Sequence, residues 1–187
     1  MQNIFNRFKV WLEANCSSLL EDLGEGASEK DFKHLENLIG ATLPEDFKAI
    51  YRVHNGQVYG EAGLLDSQEW LSLEAIEEEW KNWKGQHDEG AFKDKKPVAD
   101  PEVKPDWWNP LWIPFTYDGG GNHYCIDLDP TSDGTRGQVI TLWEEGEERM
   151  VLADSFSAWW DEYVGELEAG EYVYSELYDA IVHKEDL

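Results

Sequence analysis

Between Leu111 and Leu152 four short β-forming runs follow one another: LWIPFTY, HYCIDL, QVITLW and RMVL. Short turn signals join them, and such a succession folds as an antiparallel meander. In the first run Ile113, Phe115 and Tyr117 share a face, whereas Pro114 lacks the N–H of a ladder bond and belongs on an edge or at a bulge. In the second, Tyr124, Ile126 and Leu128 stand together. Asp118-Gly-Gly-Gly-Asn122 separates these two runs. Its glycines reach positive φ at no steric cost, and Asp118 and Asn122 can bond the turn backbone.

Helical periodicity frames this sheet. Ile4, Phe5, Phe8, Trp11 and Leu12 predict an opening amphipathic helix. Ser28 and Asp31 imitate a capping box before Phe32, Leu35 and Leu38 or Ile39, and Gly40 ends that helix. In LPEDFKAIYRVHNG, Pro44 suits the first helical position, Phe47, Ile50, Tyr51 and His54 share a face, and Asn55-Gly56 is the stop. Gln57–Asp66 reads as a short strand and turn. Ser72 caps a helix to about Lys84, with Leu73, Ile76, Trp80 and Trp83 inward and Glu74, Glu77, Glu78 and Glu79 on a solvated face or flank. Residues 85–106, rich in Gly, Lys, Asp and Pro, read as a loop insertion. Ser155 caps a late helix with Phe156, Trp159, Trp160 and Tyr163 inward, and a last helical piece is expected over Tyr174–His183. The fold class is α+β: a central antiparallel sheet with N-terminal and C-terminal helices, in one domain over residues 1–187.

The chemistry-bearing residue types match no reaction. The triple glycine lies between strands, not between a strand and a helix, and lacks both the Lys-Ser/Thr of a phosphate loop and the GxGxxG spacing. Asp127, Asp129 and Asp133 do not follow a calcium-loop order. His123 and Cys125 share a strand face, but nothing supplies an orienting third group or an oxyanion hole. The five histidines are scattered, and Cys16 and Cys125 form no CxxC. No catalytic residue, metal or cofactor is expected.

Charge limits the partners. Forty acidic against fifteen basic residues give a formal net charge of −25. Such a field opposes direct contact with nucleic acid or an anionic membrane and favours a basic protein surface, although solubility alone accounts for it equally well. The N-terminal MQNIFNRFKVWLEANC has no signal-peptide core, and no apolar run reaches membrane-span length, so a cytoplasmic protein is expected.

Three segments carry a resemblance: LPEDFKAIYRVHNGQ, WIPFTYDGGGNHYCIDLDP and GTRGQVITLW, followed by FSAWWDEYV. In this order they resemble the SUKH superfamily, which includes the Smi/Knr-type fungal cell-wall assembly regulators and many bacterial proteins. The likeness is strongest over residues 28–164. It implies an α+β domain without catalysis, and a bacterial immunity protein that neutralises a cognate toxin, with a basic nuclease domain as the expected partner. The alternative it implies is a non-catalytic regulatory or scaffold protein. Candidate partner-binding residues are Trp107 and Trp108, read as exposed anchors or else as a lid on the sheet, together with Asp118, Asp129, Glu144 and Glu145.

Overall fold

The structure, a computed structural model, describes residues 2–58 and 63–187. Helix α1 (Gln2–Asn15) buries Phe5, Phe8 and Leu12. Helix α2 (Glu29–Ile39) starts on the expected box. The Ser28 hydroxyl accepts the Asp31 N–H, and the Asp31 carboxylate accepts the Ser28 N–H. Such a cap contributes about 1 kcal/mol. Gly40 closes the helix at φ 74°. Pro44 stands just before α3 (Glu45–Tyr51) as its cap residue, not as its first turn. That helix stops at Tyr51, short of Asn55-Gly56. Asn55 is drawn away: its N–H donates to Glu25 O and its side-chain oxygen accepts the Leu73 N–H.

The strand and turn expected over Gln57–Asp66 falls partly outside the described residues. Of the rest, Gln57 bridges Leu23, and Leu65–Gln68 closes a tight turn with Asp66 at φ 52° and Ser67 at φ 63°. Strand β1 (Glu69–Trp70) follows. Helix α4 (Leu73–Glu89) buries the expected Leu73, Ile76, Trp80 and Trp83. It runs to Gly90 (φ 81°), beyond Lys84. The supposed loop insertion is therefore helical at its start, and the remainder is folded onto the body. Phe92 packs against Trp83, Val103 is buried, and β2 (Val98–Ala99) pairs in parallel with β7 (Glu148–Arg149).

The meander forms as the sequence predicts. Strands β3 (Trp112–Pro114), β5 (His123–Asp127), β6 (Gln138–Leu142) and β8 (Val151–Ala153) lie side by side in that order, all antiparallel. Pro114 sits on the edge strand. Phe115 breaks the first run, and β4 (Thr116–Tyr117) leaves to pair with β1. Every residue of β5 and β6 is buried. Both faces of these strands are therefore covered. Tyr124 meets Trp159 on one side, at 5.9 Å between ring centres, and His123 meets Trp83 of α4 on the other, at 6.2 Å. Buried polar groups on both faces have partners: on the His123 face Asp127 accepts from Gln138, and on the Tyr124 face Thr141 accepts the Met150 N–H.

Helix α5 (Phe156–Ala169) is capped by Ser155 and buries Phe156, Trp159, Trp160 and Tyr163, as expected. Trp160 sits among Phe5, Phe8 and Trp70 at 5.2–5.9 Å. Edge-on ring pairs of this kind add about 0.5–1.5 kcal/mol each beyond buried area. The last helical piece does not form. Strands β9 (Tyr172–Ser175) and β10 (Ala180–His183) make a hairpin instead. Val173, Ile181 and Val182 are β-branched, and Asp179 takes a left-handed turn (φ 48°) that no helix interior allows. The hairpin docks on the body through Ile181 N–H to Gly63 O and Ser67 N–H to Ile181 O.

Candidate functional site

The triple glycine is the turn between β4 and β5. Gly119 and Gly121 sit at φ 81° and 95°, where only glycine is at ease. Asp118 organises it: one carboxylate oxygen accepts the N–H of Gly120 (2.7 Å) and of Asn122 (3.0 Å), and the other accepts the Asn122 amide (2.6 Å). The Asn122 side-chain oxygen, Oδ1, then accepts the Glu144 N–H at 2.9 Å. One side chain thus ties the glycine turn to the acidic turn after β6, in which Glu144 and Glu145 are exposed.

A cleft of about 250 Å³ opens between this pair of turns and α4, lined by Glu79, Trp83, Tyr117, Glu144 and the three glycines. Among the described residues no lysine or arginine lines it. A side chain on Gly121 would run into the Glu144 carboxylate. Burial raises the pKa of Glu79, and Glu78 and Glu144 add to the effect. Glu69 behaves alike, through burial and then Asp22 and Glu79. Tyr117 is raised by burial and by the same carboxylates, Glu79 foremost. The carboxylates here feel one another, and among the described residues no lysine or arginine lines the cleft between them.

Behind Tyr117, and not itself lining the cleft, stands His123, fully buried and stacked on that ring at 5.3 Å. Its Nδ1 is 2.7 Å from the Thr116 carbonyl, which only accepts, so Nδ1 carries the proton. Nε2 is then a lone pair with no hydrogen-bond partner, 3.6 Å from a Glu79 oxygen. Burial holds the imidazole neutral, its pKa pushed down to about 4. Cys125 is also fully buried, and burial pushes its thiol well above the ordinary range. A buried thiol held protonated is not poised to attack a substrate.

The candidate residues separate. Asp118 and Glu144 meet across Asn122, with Glu145 beside them. Asp129 lies elsewhere, bound to Lys104 at 2.6 Å and to Asn109, and Lys104 lowers its pKa. Trp107 and Trp108 are not exposed anchors; they are 7% and 2% exposed. The Arg149 guanidinium and the Lys95 ammonium lie over the Trp107 ring at 4.8 and 4.4 Å, Arg149 donates to the Trp107 carbonyl, and Trp108 packs on Trp80. Covered aromatic area of this size is the reason. Sequence reasoning missed Glu79 and Tyr117. Of the two positions that helical spacing allows Glu79, a solvated face or its flank, the structure has the flank, facing the glycine turn.

Among the described residues no three His, Cys, Asp or Glu side chains converge to hold a metal, and no helix is long and apolar enough to cross a membrane. Comparison with known proteins gives a consistent set. The model of the SMI1/KNR4 family (SUKH-1) matches residues 26–162. A glucan synthesis regulatory protein of Neurospora crassa is 26% identical over 202 residues, covering 89% of this chain and 38% of that protein. The cell wall assembly regulator SMI1 of Saccharomyces cerevisiae is 24% identical, covering 87% and 39%. Human F-box only protein 3 is 39% identical over 67 residues, covering 36% and 14%. The chain thus spans under two fifths of the length of these relatives.

Proposed function

The chain belongs to the SMI1/KNR4 family (SUKH-1), and on that premise we propose that it is a non-catalytic regulatory protein that works by docking a basic protein partner. The observation that carries this reading is that relatives matching 87–92% of the chain are named as regulators of glucan synthesis or of cell-wall assembly and biosynthesis. These names support the regulatory alternative over a toxin-immunity role. They belong to longer proteins, so the process regulated here is part of the proposal.

The cleft between α4 and the glycine turn is the proposed docking face. Uncompensated carboxylates steer a basic surface and reject acidic competitors. Buried His123 and Cys125 keep the site structural. The test is affinity capture from the native cell with wild type and with Glu79→Lys/Glu144→Lys, at low and high salt. The expected result is a set of basic partners lost in the variant and weakened by salt. Capture unchanged by both perturbations would remove the docking face. Growth rescue from a toxin encoded beside the gene would restore the immunity reading.

A further inference from the structure

A second cavity, of about 160 Å³, shares no lining residue with the acidic cleft. It lies where α5, the Leu65–Gln68 turn and the C-terminal hairpin meet. Four aromatic rings wall it: Tyr124, Trp159, Tyr163 and Tyr172. Trp159 and Tyr163 are stacked at 5.4 Å, and Tyr172 meets Tyr163 edge-on at 5.1 Å. Leu152 and three carboxylates, Asp66, Glu162 and Glu166, complete the lining, and among the described residues no lysine or arginine belongs to it.

The carboxylates are arranged against their own interest. Glu162 and Glu166 are one helical turn apart, a like-charge spacing that destabilises a helix by about 0.2–0.5 kcal/mol. Elsewhere on α5, Asp161 and Glu168 are both held by Arg7. The cavity side of the helix has no such cation. Burial raises the pKa of Glu166, Glu162 raises it further, and only His183, edge-on to Tyr172, opposes them. The rings are meanwhile fixed. The Tyr124 hydroxyl donates to Asp66, and the Tyr163 hydroxyl donates to Leu64 O and accepts the Asp66 N–H. Asp66 and Ser67 both hold left-handed φ without being glycine, and such backbone collects at functional sites.

We propose that this cavity binds the head of an organic cation, a guanidinium or an alkylated ammonium. Ring walls attract such a cation and the carboxylates neutralise it. A hard metal ion needs converging oxygens, and among the described residues no three His, Cys, Asp or Glu side chains converge to hold one. An anion meets three carboxylates. The volume is below the roughly 300–1,000 Å³ of whole-ligand sites, so it takes a single head group. Tyr163, Glu166 and Tyr172 lie beyond the segment matched by the family model.

The test uses the full chain, titrated with N-acetyl-trimethyllysine amide and N-acetyl-arginine amide while the Trp159 indole, the Asp66 amide and the Glu166 carboxyl are followed by NMR. Saturable shifts at all three are expected, absent with sodium chloride, with the Glu166 pKa falling on binding. Glu162→Gln/Glu166→Gln and Tyr172→Leu are expected to weaken binding roughly five- to ten-fold while the chain stays folded, as a cooperative melt shows. Glu79→Lys/Glu144→Lys is expected to leave this titration as it was, which separates it from the docking face. A peptide carrying the same residue that binds more tightly than the capped amino acid marks a protein as the source; equal affinity marks a small free cation. No saturable shift, the same shift from sodium chloride, or unaltered affinity in both weakened variants overturns the site.

Discussion

Asp127 offers the sharpest test of the buried polar face. It sits in β5 with no exposed surface, accepting the Asp129 N–H and the Gln138 amide, and burial pushes its pKa up from 3.8 to about 6. Between those values the folded chain keeps a proton that the unfolded chain has released. Raising pH across the interval therefore favours unfolding. At about 1.36 kcal/mol per pH unit, the span amounts to at most about 3 kcal/mol. Asp127→Asn cannot ionise and loses none of it. Self-repulsion of a chain with net charge −25 also grows with pH, but it acts on both proteins nearly equally. The quantity to measure is the difference between wild type and Asp127→Asn in urea unfolding, followed by tryptophan fluorescence from below pH 3.8 to above pH 6. The wild type is expected to lose up to about 3 kcal/mol relative to the variant as pH rises, whatever their offset at low pH. A flat difference, or one of opposite slope, would refute the account of burial.

His123 acts in the opposite direction. With its folded pKa lowered to about 4, stability present above pH 6.5 is lost as pH falls, by up to about 3 kcal/mol. His123→Gln should abolish that acid limb in the same unfolding series, and a persistent limb sinks the assignment. Gly119→Ala and Gly121→Ala should each cost about 1–2 kcal/mol for left-handed backbone. Gly121→Ala should cost more and be partly relieved by Glu144→Ala, because only its new methyl meets Glu144; equal losses would contradict the close approach. Trp107→Ala should cost about 3–5 kcal/mol as a buried aromatic. Intact melting with lost partner capture would return it to the role of an interface anchor.

The legible parts of the fold were those whose signal is local. Ser28 with Asp31, Ser72, Ser155 and the glycine turn each write their own structure within a few residues. The four alternating runs needed no distant partner to be read, because each pairs with a neighbour in sequence. Residues 85–106 failed for the opposite reason. Their order comes from Glu147 and Arg149, some fifty residues away, which bond Val98 and Asp100. The C-terminal segment failed because aromatic and β-branched residues in a short run fit either period, and docking on Gly63 and Ser67 decides between them. Asp118 and Glu144 were found from turn chemistry. Glu79 was not, since only the packing of α4 across the sheet brings its carboxylate to His123.

Asn122 links two turns that are separate in sequence, and this bears on the energetics of any encounter. Association ordinarily loses about 0.5–1.5 kcal/mol of conformational entropy for each mobile side chain or loop group it freezes. The glycine turn and the Glu144 turn are already one body before a partner arrives. Cutting the clasp with Asn122→Ala would leave every carboxylate in place, yet docking at this face would then begin from two independent loops.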